Sequence, residues 1–294
     1  MPDAPFLSRQ ARFAEVGSTN DVVRAWLAEG TPEVCLAIAD RQTAGRGRSG
    51  RTWQAPPGAA LLLSLGFRPG WLPPEQVWRL AATVSLAMAD AAEEAAGLPD
   101  GAIRLKWPND LVIEMSGSMA VAMNDLDADA AAASMAADPV VLKTGGVLGE
   151  SDGLGSGDPR VVIGIGLNAG WAAEDFPEEL RPSMTSLHEA SRGRPVDLSA
   201  LLDGFLGRLE MRLAALRAGR FDLADWNTRQ VTTGREIVIE WPDASRENAR
   251  AIGVDAASGG LVVDDGVGGE RTLVVGEVRR VRIPTADAVV GVTP

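Results

Sequence analysis

Two short apolar runs joined by a loop rich in arginine and glycine constrain the fold of this chain more than any other feature. Val34–Ala39 and Ala60–Phe67 are typical of buried strands, and Pro56 and Pro57 prevent a helix from starting between them. The connecting loop, residues 44–53, reads AGRGRSGRTW. It therefore links two core strands and is predicted to lie at one end of a sheet.

The charge of this loop runs against that of the whole chain. Four arginines and no acidic residue fall within residues 41–51, although the formal net charge of the 294-residue chain is −12. Glycines between the arginines let the backbone approach a ligand and turn N–H groups toward it. Gly45, Gly47 and Gly50 also fit a dinucleotide-binding pattern, but no helix opens there and no acid lies about 20 residues on. Two interpretations stay open: a solvated, mobile loop, or a loop that folds over a phosphate or carboxylate.

Composition excludes several classes of function. The acidic balance argues against nucleic acid as the main partner, because binding a polyanion needs Lys and Arg over a wide face. One cysteine, Cys35, and one histidine cannot form a disulfide or a zinc site. If a metal is involved, carboxylates and substrate phosphates would hold it, which indicates Mg²⁺. The lone thiol, with no membrane-spanning run and no signal-like start, predicts a cytoplasmic protein without a membrane partner.

Lysine is rare in this chain: of 28 basic residues only Lys106 and Lys143 are lysines. A lysine kept where arginine is otherwise used suggests a need for a compact ammonium group. Lys106 precedes Trp-Pro-Asn-Asp at 107–110, which is either an ordinary turn or a place to hold a phosphate with its magnesium. Lys143 precedes Gly145 and Gly146, and its amine either reaches solvent from a strand edge or lies inside a site.

Hydrophobic periodicity places further elements around these motifs. Long amphipathic helices are predicted at Glu75–Ala96 and Asp197–Gly219, and a shorter helix opens at residues 18–21. Ser18 or Thr19 can cap this shorter helix, and whether its start also binds a ligand stays open. Val161–Asn168 is a predicted strand with glycines on alternate positions, which often marks a close approach by a ligand or another backbone.

The chain is predicted to be an α+β protein of two domains. From about residue 232 the pattern changes to short strands at regular spacing, which is typical of a small all-β domain. We place a large domain at 1–230 and the small one at 231–294. Residues of about 115–139 are rich in Ala, Met, Asp and Ser and are predicted to be a flexible or weakly helical insert.

Five segments together resemble the biotin protein ligases, the biotin–[acetyl-CoA carboxylase] ligases. They are residues 18–20 (STN), 45–53 (GRGRSGRTW), 106–110 (KWPND), 143–148 (KTGGVL) and 164–168 (GIGLN). The resemblance implies a class II synthetase-like catalytic domain, with a mixed sheet and flanking helices, followed by a small SH3-like β-barrel. It implies that biotin and MgATP form biotinyl-5′-AMP, and that biotin then passes to a lysine of a biotin carboxyl carrier domain.

The resemblance also implies roles for individual residues. Lys143 is the expected catalytic cation between the biotin carboxylate and the α-phosphate, and Lys106 would stabilise the phosphates. Asp110, with Asn109, would organise magnesium and phosphate. The side chains expected on the ureido ring of biotin are Ser18, Thr19, Asn20 and Gln42. The loop residues expected to hold phosphate and carboxylate are Gly45, Arg46, Gly47, Arg48 and Arg51, with Arg48 counted as catalytic. The residues expected to face the nucleotide are Trp53, on its adenine side, and Asn168. The glycines expected to make room for biotin are Gly146, Gly164 and Gly166.

Two features depart from the family pattern. Only 17 residues precede the first motif, so the N-terminal winged-helix domain of many family members is expected to be absent. The insert at about 115–139 has no counterpart that the resemblance supplies. Two alternative functions stay open: a lipoate or octanoate ligase on the same fold, whose arginine-glycine signature differs, and a non-enzymatic nucleic-acid-binding protein, which the acidic composition disfavours.

Overall fold

A mixed sheet forms the centre of the larger part of the structure. The computed structural model describes residues 4–115, 139–275 and 278–283. The strands of this sheet are β1 (Arg9–Val16), β2 (Cys35–Gln42), β3 (Ala60–Phe67), β4 (Ile103–Lys106), β5 (Asp110–Met115), β6 (Val140–Asp152) and β7 (Arg160–Asn168). Within the described residues their order is β1-β2-β3-β7-β6-β5-β4. β1 and β2 pair in parallel, and the other neighbours pair in antiparallel fashion.

Helices cover both faces of this sheet. The described helices are α1 (Thr19–Ala28), α2 (Trp78–Ala96), α3 (Leu187–Ala190), α4 (Leu198–Arg217) and α5 (Leu223–Thr228). Alternate residues of β2 show the division: Leu36 and Ile38 join the main core under α2 and α4, while Cys35 and Ala37 pack against α1. Because both faces are covered, all eight residues of β3 are buried. The strand therefore reads as a continuous apolar run and not as an alternating one.

The described helix ends differ in how they are capped. Gly97 ends α2 in the left-handed conformation, at φ 63°. The Asp197 carboxylate accepts hydrogen bonds from the first turn of α4. Ser18 takes the N-cap position of α1, but no side-chain capping bond forms there. The predicted hydroxyl cap of α1 is therefore wrong, and the hydroxyl of Thr19 instead takes part in the polar cluster described below.

A second, antiparallel sheet occupies the C-terminal part of the chain. Its strands are β8 (Glu236–Glu240), β9 (Arg246–Val254), β10 (Leu261–Asp264), β11 (Glu270–Leu273) and β12 (Arg280–Arg282). They lie in the order β11-β10-β9-β8-β12 among the described residues and enclose a separate apolar core. One residue of the larger part, Trp107, belongs to this second core.

The predicted α+β class is confirmed, while several local predictions need correction. β1, α3 and α5 were missed, and the helix predicted from Glu75 begins at Trp78, because Pro74–Gln76 forms a separate 3-10 turn. The predicted insert at about 115–139 lies almost wholly outside the described residues, and so does the end of the predicted 231–294 domain. The boundary at 230/231 stays a prediction. None of the described helices is both long and apolar enough to cross a membrane.

Candidate active site

A cavity of about 870 Å³ opens at one end of the large sheet and gathers the motifs that are far apart in sequence. The predicted site residues that line it are Ser18, Thr19, Asn20, Gln42, Arg46, Gly47, Arg48, Arg51, Trp53, Lys106, Asn109, Asp110, Lys143, Gly146, Gly164 and Gly166. Strand pairing explains the convergence: β5, β6 and β7 are neighbours, and Gly146 pairs with Asp110 on one side and with Gly166 on the other. The sheet thus presents both lysines, the Asp110 carboxylate and the glycines at one place.

The centre of the cavity holds an ion pair between Lys143 and Asp110. The Lys143 Nζ donates to Asp110 Oδ1 at 2.5 Å, and about a quarter of each side chain is exposed. Burial raises the pKa of Asp110, but the charges of Lys143 and Lys106 outweigh this effect and hold that pKa below its ordinary value of 3.8. The carboxylate is therefore ionised at neutral pH.

Lys106 faces Asp110 across the β4–β5 pairing. Burial lowers the pKa of Lys106 below its ordinary value of 10.5, and the nearby charges of Arg280, Lys143 and Arg51 lower it further, while Asp110 opposes this effect. A bound polyanion would relieve the repulsion among these cations. Two hydrogen bonds to one residue fix Asn109: its Nδ2 donates to the Val147 carbonyl at 2.9 Å, and its own carbonyl accepts from the Val147 N–H at 2.9 Å.

A neutral polar cluster forms another wall of the cavity. The backbone N–H and hydroxyl of Thr19 donate to Gln42 Oε1 at 2.7 and 3.0 Å. The Ser64 hydroxyl lies within hydrogen-bond distance of both Thr19 Oγ1, at 2.7 Å, and Asn20 Oδ1, at 2.6 Å. Beyond these uncharged groups, Asn20 Nδ2 donates to the carboxylate of Glu150, at 2.6 Å from Oε2. The sequence had not singled out Ser64 or Glu150, since each reaches the cluster only through sheet pairing.

The strand glycines leave room that neighbouring side chains already use. A Cβ on Gly164 would lie 2.2 Å from Asn20 Oδ1, and one on Gly166 would lie 2.4 Å from Cε2 of Trp53. The indole of Trp53 is thus pressed onto β7, and Lys143 Nζ lies 5.5 Å from its ring centre. The indole N–H of Trp53 is buried without a hydrogen-bond partner among the described residues. This N–H group is a hydrogen-bond donor that lies beside β7.

Arg46 and Arg48 hold the arginine loop against the rest of the protein. Arg46 donates to both carboxylate oxygens of Asp21, at 2.8 and 2.7 Å. These bonds lower the pKa of Asp21 and raise that of Arg46. Arg48 Nη2 donates to the carbonyls of Val275 and Val278, at 2.6 and 2.9 Å, and so joins the loop to the C-terminal sheet region. Arg46 also bridges to Thr52 across the loop.

Two predicted residues do not line the cavity. Gly45 lies at the base of the loop, where a Cβ would meet the Trp53 carbonyl at 2.4 Å, so the glycine is required by backbone packing. Asn168 is 1% exposed, and its Nδ2 donates to the Thr185 carbonyl at 3.2 Å. The structure thus places Asn168 behind the cavity wall. Its contact with a nucleotide stays a prediction.

The C-terminal sheet region contributes residues that the sequence did not identify as part of the site. Arg235, Arg280 and Arg282 line the same cavity. Burial lowers the pKa of Arg280, and the charges of Arg282 and Arg51 add to this effect. An arginine in a short strand carries no sequence signal of its own, and only tertiary packing brings these residues to the motifs. The cavity is therefore strongly cationic at this end.

Comparison with solved structures shows which class of protein shares this fold. The biotin protein ligase from Aquifex aeolicus, solved in complex with biotin and ATP, superposes with a TM-score of 0.70 at 24% sequence identity, covering 95% of this chain and 100% of that chain. The protein therefore has the biotin protein ligase fold. Within the described residues, the seven-stranded mixed sheet and the separate antiparallel sheet match that fold.

Sequence comparison then gives the family. The model of the biotin/lipoate A/B protein ligase family matches residues 13–168. The biotin–[acetyl-CoA-carboxylase] ligase of Mycobacterium tuberculosis is 33% identical over 264 residues, which is 89% of this chain and 84% of the relative. The bifunctional ligase/repressor BirA of Bacillus subtilis is 30% identical over 197 residues, and the chain spans about half (51%) of its length. The chain belongs to the biotin/lipoate A/B protein ligase family, and the predicted resemblance is confirmed.

Proposed function

We propose that the protein is an ATP-dependent biotin protein ligase that forms biotinyl-5′-AMP and transfers biotin to a lysine of a biotin carboxyl carrier domain. The observation that carries this proposal is the convergence of Lys143, Lys106 and Asp110 with a neutral polar cluster and an arginine loop in one cavity. Two comparisons agree with it: the relative from Mycobacterium tuberculosis is a biotin–[acetyl-CoA-carboxylase] ligase, and the structural neighbour from Aquifex aeolicus was solved with biotin and ATP.

The first step joins two anions, so charge neutralisation is the main task of the site. A carboxylate oxygen of biotin attacks the α-phosphorus of ATP, the bond to the bridging oxygen of the β-phosphate breaks, and pyrophosphate leaves. Lys143 is placed to neutralise the carboxylate and the α-phosphate as they meet, after exchanging Asp110 for these ligands. Lys106, with Arg51, would stabilise the departing pyrophosphate. Fixed cations in a partly buried site are effective because they need little reorganisation during the reaction.

The neutral cluster is suited to an uncharged ligand with both donors and acceptors. The ureido ring of biotin has one carbonyl and two N–H groups, and the Thr19, Asn20 and Gln42 side chains offer matching partners. The glycines at 146, 164 and 166 would let the ligand lie close to the sheet.

Magnesium fits the chemistry of the site, with Asp110 as its protein ligand. The described residues contain no group of three or more His, Cys, Asp or Glu side chains that could hold a metal by themselves. Mg²⁺ commonly uses one or two carboxylates together with substrate phosphates and water. When bound, the ion would neutralise phosphate charge, while Asn109, held by its two bonds to Val147, would keep the turn that carries Asp110 in place.

In the second step the amine of the carrier lysine attacks the acyl carbonyl of the adenylate, and AMP leaves. The adenylate is a mixed anhydride that water would hydrolyse, so the site must exclude solvent between the two steps. The arginine loop is suited to this task, because Arg48 ties it to the C-terminal sheet region. We assign adenylate formation to residues 1–230 and closure over the site to residues 231–294 together with the loop.

Gly166→Ala is expected to weaken biotin binding. The added methyl group would lie 2.4 Å from the Trp53 ring and force the indole toward the ligand space. Such overpacking costs about 1–3 kcal/mol. Calorimetric titration of the variant with biotin measures the change. Gly149→Ala, on β6, is the matched control, because its Cβ would meet nothing within 4 Å. Equal affinities of the two variants would contradict this role of Gly166.

Arg48→Ala is expected to release more free adenylate. The variant loses two hydrogen bonds from a charged donor to the carbonyls of Val275 and Val278. If the closed loop loses ~1.5 kcal/mol of stabilisation, the lower end of the range for one such bond, the fraction of molecules with an open loop rises roughly tenfold. Chromatography of reactions without carrier measures biotinyl-5′-AMP in solution. Arg41→Ala, which removes only the exposed pair with Glu15, should match wild type. Unchanged release from Arg48→Ala would count against loop retention.

The proposed function is tested by exchange of radiolabelled pyrophosphate into ATP in the presence of magnesium. Exchange with biotin, but not with lipoate or octanoate, would establish both the adenylation step and its substrate. Exchange with lipoate or octanoate instead would overturn the biotin assignment and keep the ligase chemistry. Absence of exchange with any of these acids would overturn adenylate formation itself.

A further inference from the structure

The residue that follows Lys106 connects the two parts of the molecule. Trp107 is 3% exposed, and its side chain lies in the apolar core of the C-terminal sheet, with Ile237, Ile239 and Leu261 among its neighbours in that cluster. Its chain neighbour Lys106 lines the cavity. A single peptide unit therefore separates a cavity cation from the interior of the other sheet.

Directional bonds fix the orientation of Trp107. Its indole Nε1 donates to the Gly259 carbonyl at 3.0 Å, and its backbone N–H donates to the Thr232 hydroxyl at 3.1 Å; both contacts are buried. Two residues before Trp107, the Leu105 backbone N–H donates to the Arg229 carbonyl at 2.8 Å, and the Leu105 carbonyl accepts from the Val231 N–H at 2.9 Å. The stretch that enters the cavity is thus held by the C-terminal segment and by the connection leading into it.

The same apolar core also positions cavity residues from the opposite side. On β12, Val281 is buried in this core, while Arg280 and Arg282 on either side of it line the cavity. Alternate residues of a strand point to opposite faces. The packing of Val281 in the core therefore determines where Arg280 and Arg282 lie in the cavity. Trp107 and Val281 share one core, and Lys106, Asp110 and Arg280 share one cavity.

We propose that Trp107 is a positioning residue, which sets the spacing between Lys106 and Asp110 on the large sheet and Arg280 on the C-terminal sheet, and so determines the affinity for the triphosphate of ATP. This inference rests on the proposed function for the identity of the ligand. The positioning itself is a property of the protein alone. An error of about 1 Å in such a constellation can cost up to about a hundredfold in rate.

A matched pair of substitutions separates positioning from general stability. Trp107→Phe removes the indole donor to Gly259 and keeps an aromatic ring in the core. Trp78→Phe also removes an indole donor to the same turn, since Trp78 Nε1 donates at 3.0 Å to the Ala257 carbonyl in an exposed contact, but Trp78 lies on α2, away from the cavity lining. Both variants loosen one bond between the two parts of the molecule. Circular dichroism would verify that each is folded.

The first measurement compares the two substrates. Trp107→Phe is expected to raise the KM for ATP roughly tenfold in pyrophosphate exchange and to leave the KM for biotin within about twofold. Trp78→Phe is expected to leave both at wild-type values. An unchanged KM for ATP in Trp107→Phe, an equal rise for both substrates, or the same rise in Trp78→Phe would overturn the inference.

The second measurement needs no substrate. Reductive ¹³C-methylation labels only Lys106, Lys143 and the chain terminus, because the chain has no other lysines. The pKa of Lys106, lowered by burial and by the charges of Arg280, Lys143 and Arg51, should rise toward its ordinary value of 10.5 in Trp107→Phe and stay unchanged in Trp78→Phe. An unchanged pKa in Trp107→Phe would overturn the positioning. If wild type shows no exchange, the proposed function fails, while this titration still decides whether Trp107 positions Lys106.

Discussion

Lys143→Ala is expected to lower the rate of biotin-dependent pyrophosphate exchange by roughly 30- to 1000-fold, equivalent to ~2–4 kcal/mol of transition-state stabilisation. The ammonium group lies in the cavity beside Asp110, at 2.5 Å, and near the Trp53 ring. Its charge is needed when two anions meet, and no other group in the proposed mechanism neutralises both of them.

Two further lysine variants show whether the slower exchange of Lys143→Ala comes from the loss of its compact charge. Lys106→Ala removes the other lysine of the chain and should raise the KM for ATP, because Lys106 is proposed to hold phosphates. Lys143→Arg keeps a cation but replaces a compact ammonium with a planar group, so we expect partial activity. Biotin affinity, measured by calorimetry, should change less than the exchange rate. Exchange by Lys143→Ala within tenfold of wild type would exclude the proposed role.

Lys143→Ala should also change the pH at which the protein unfolds in acid. In wild type the pKa of Asp110 is lower in the folded protein than in the unfolded chain. The ionised carboxylate therefore stabilises the folded state at pH values above the unfolded-state pKa. This stabilisation is lost as the pH falls through the folded-state pKa. Lys143→Ala removes the largest attraction, so burial raises the pKa of Asp110 relative to wild type. The variant should therefore begin to unfold at higher pH. Acid titrations followed by tryptophan fluorescence test this expectation, and coincident curves would contradict it.

The parts of the fold that the sequence predicted well are those whose signal is local. Ala60–Phe67 was predicted with the observed bounds, because an unbroken apolar run ends at a charged residue and a loop. β1 was missed because it lies at the edge of the sheet and carries Arg9, Arg12 and Glu15, which are solvent-exposed or half-buried. An edge strand with one wet face has too little apolar content to stand out.

The cavity residues also differ in whether the sequence could predict them. Its motif residues could be predicted because phosphate and carboxylate chemistry restricts which residues and spacings are possible. Ser64 and Arg280 could not, since an inward serine in an apolar strand and an arginine in a short C-terminal strand are both ordinary features of a sequence. Trp107 was recognised as part of a motif, but its burial in the other core depends on how two distant segments pack.

A buried ionic network at the base of the C-terminal connection was also beyond sequence reasoning. Arg229 is 8% exposed and donates to Glu93, which is 3% exposed, at 2.8 Å. It also pairs with Asp90 at 2.7 Å and with Asp225 at 3.0 Å. Burial lowers the pKa of Arg229, but the hydrogen bonds and charges of these acids raise it overall. Since Arg229 also bonds the Ile103 carbonyl, the network supports β4, the strand that ends at Lys106.

Arg229→Met is expected to lower the free energy of unfolding by about 3–5 kcal/mol, because it leaves the Glu93 carboxylate buried without its cation. Urea unfolding followed by circular dichroism measures the loss. The double variant Arg229→Met/Glu93→Gln leaves no unpaired charge at this pair, and a glutamine can still accept the Ile103 N–H bond, so it should recover a substantial part of the loss. Arg41→Met, which breaks a half-exposed surface pair with Glu15, should cost less than about 1 kcal/mol. If Arg229→Met were no more destabilising than Arg41→Met, the side-chain network would not hold β4 in place, and the position of Lys106 would depend on backbone pairing and on the Trp107 contacts.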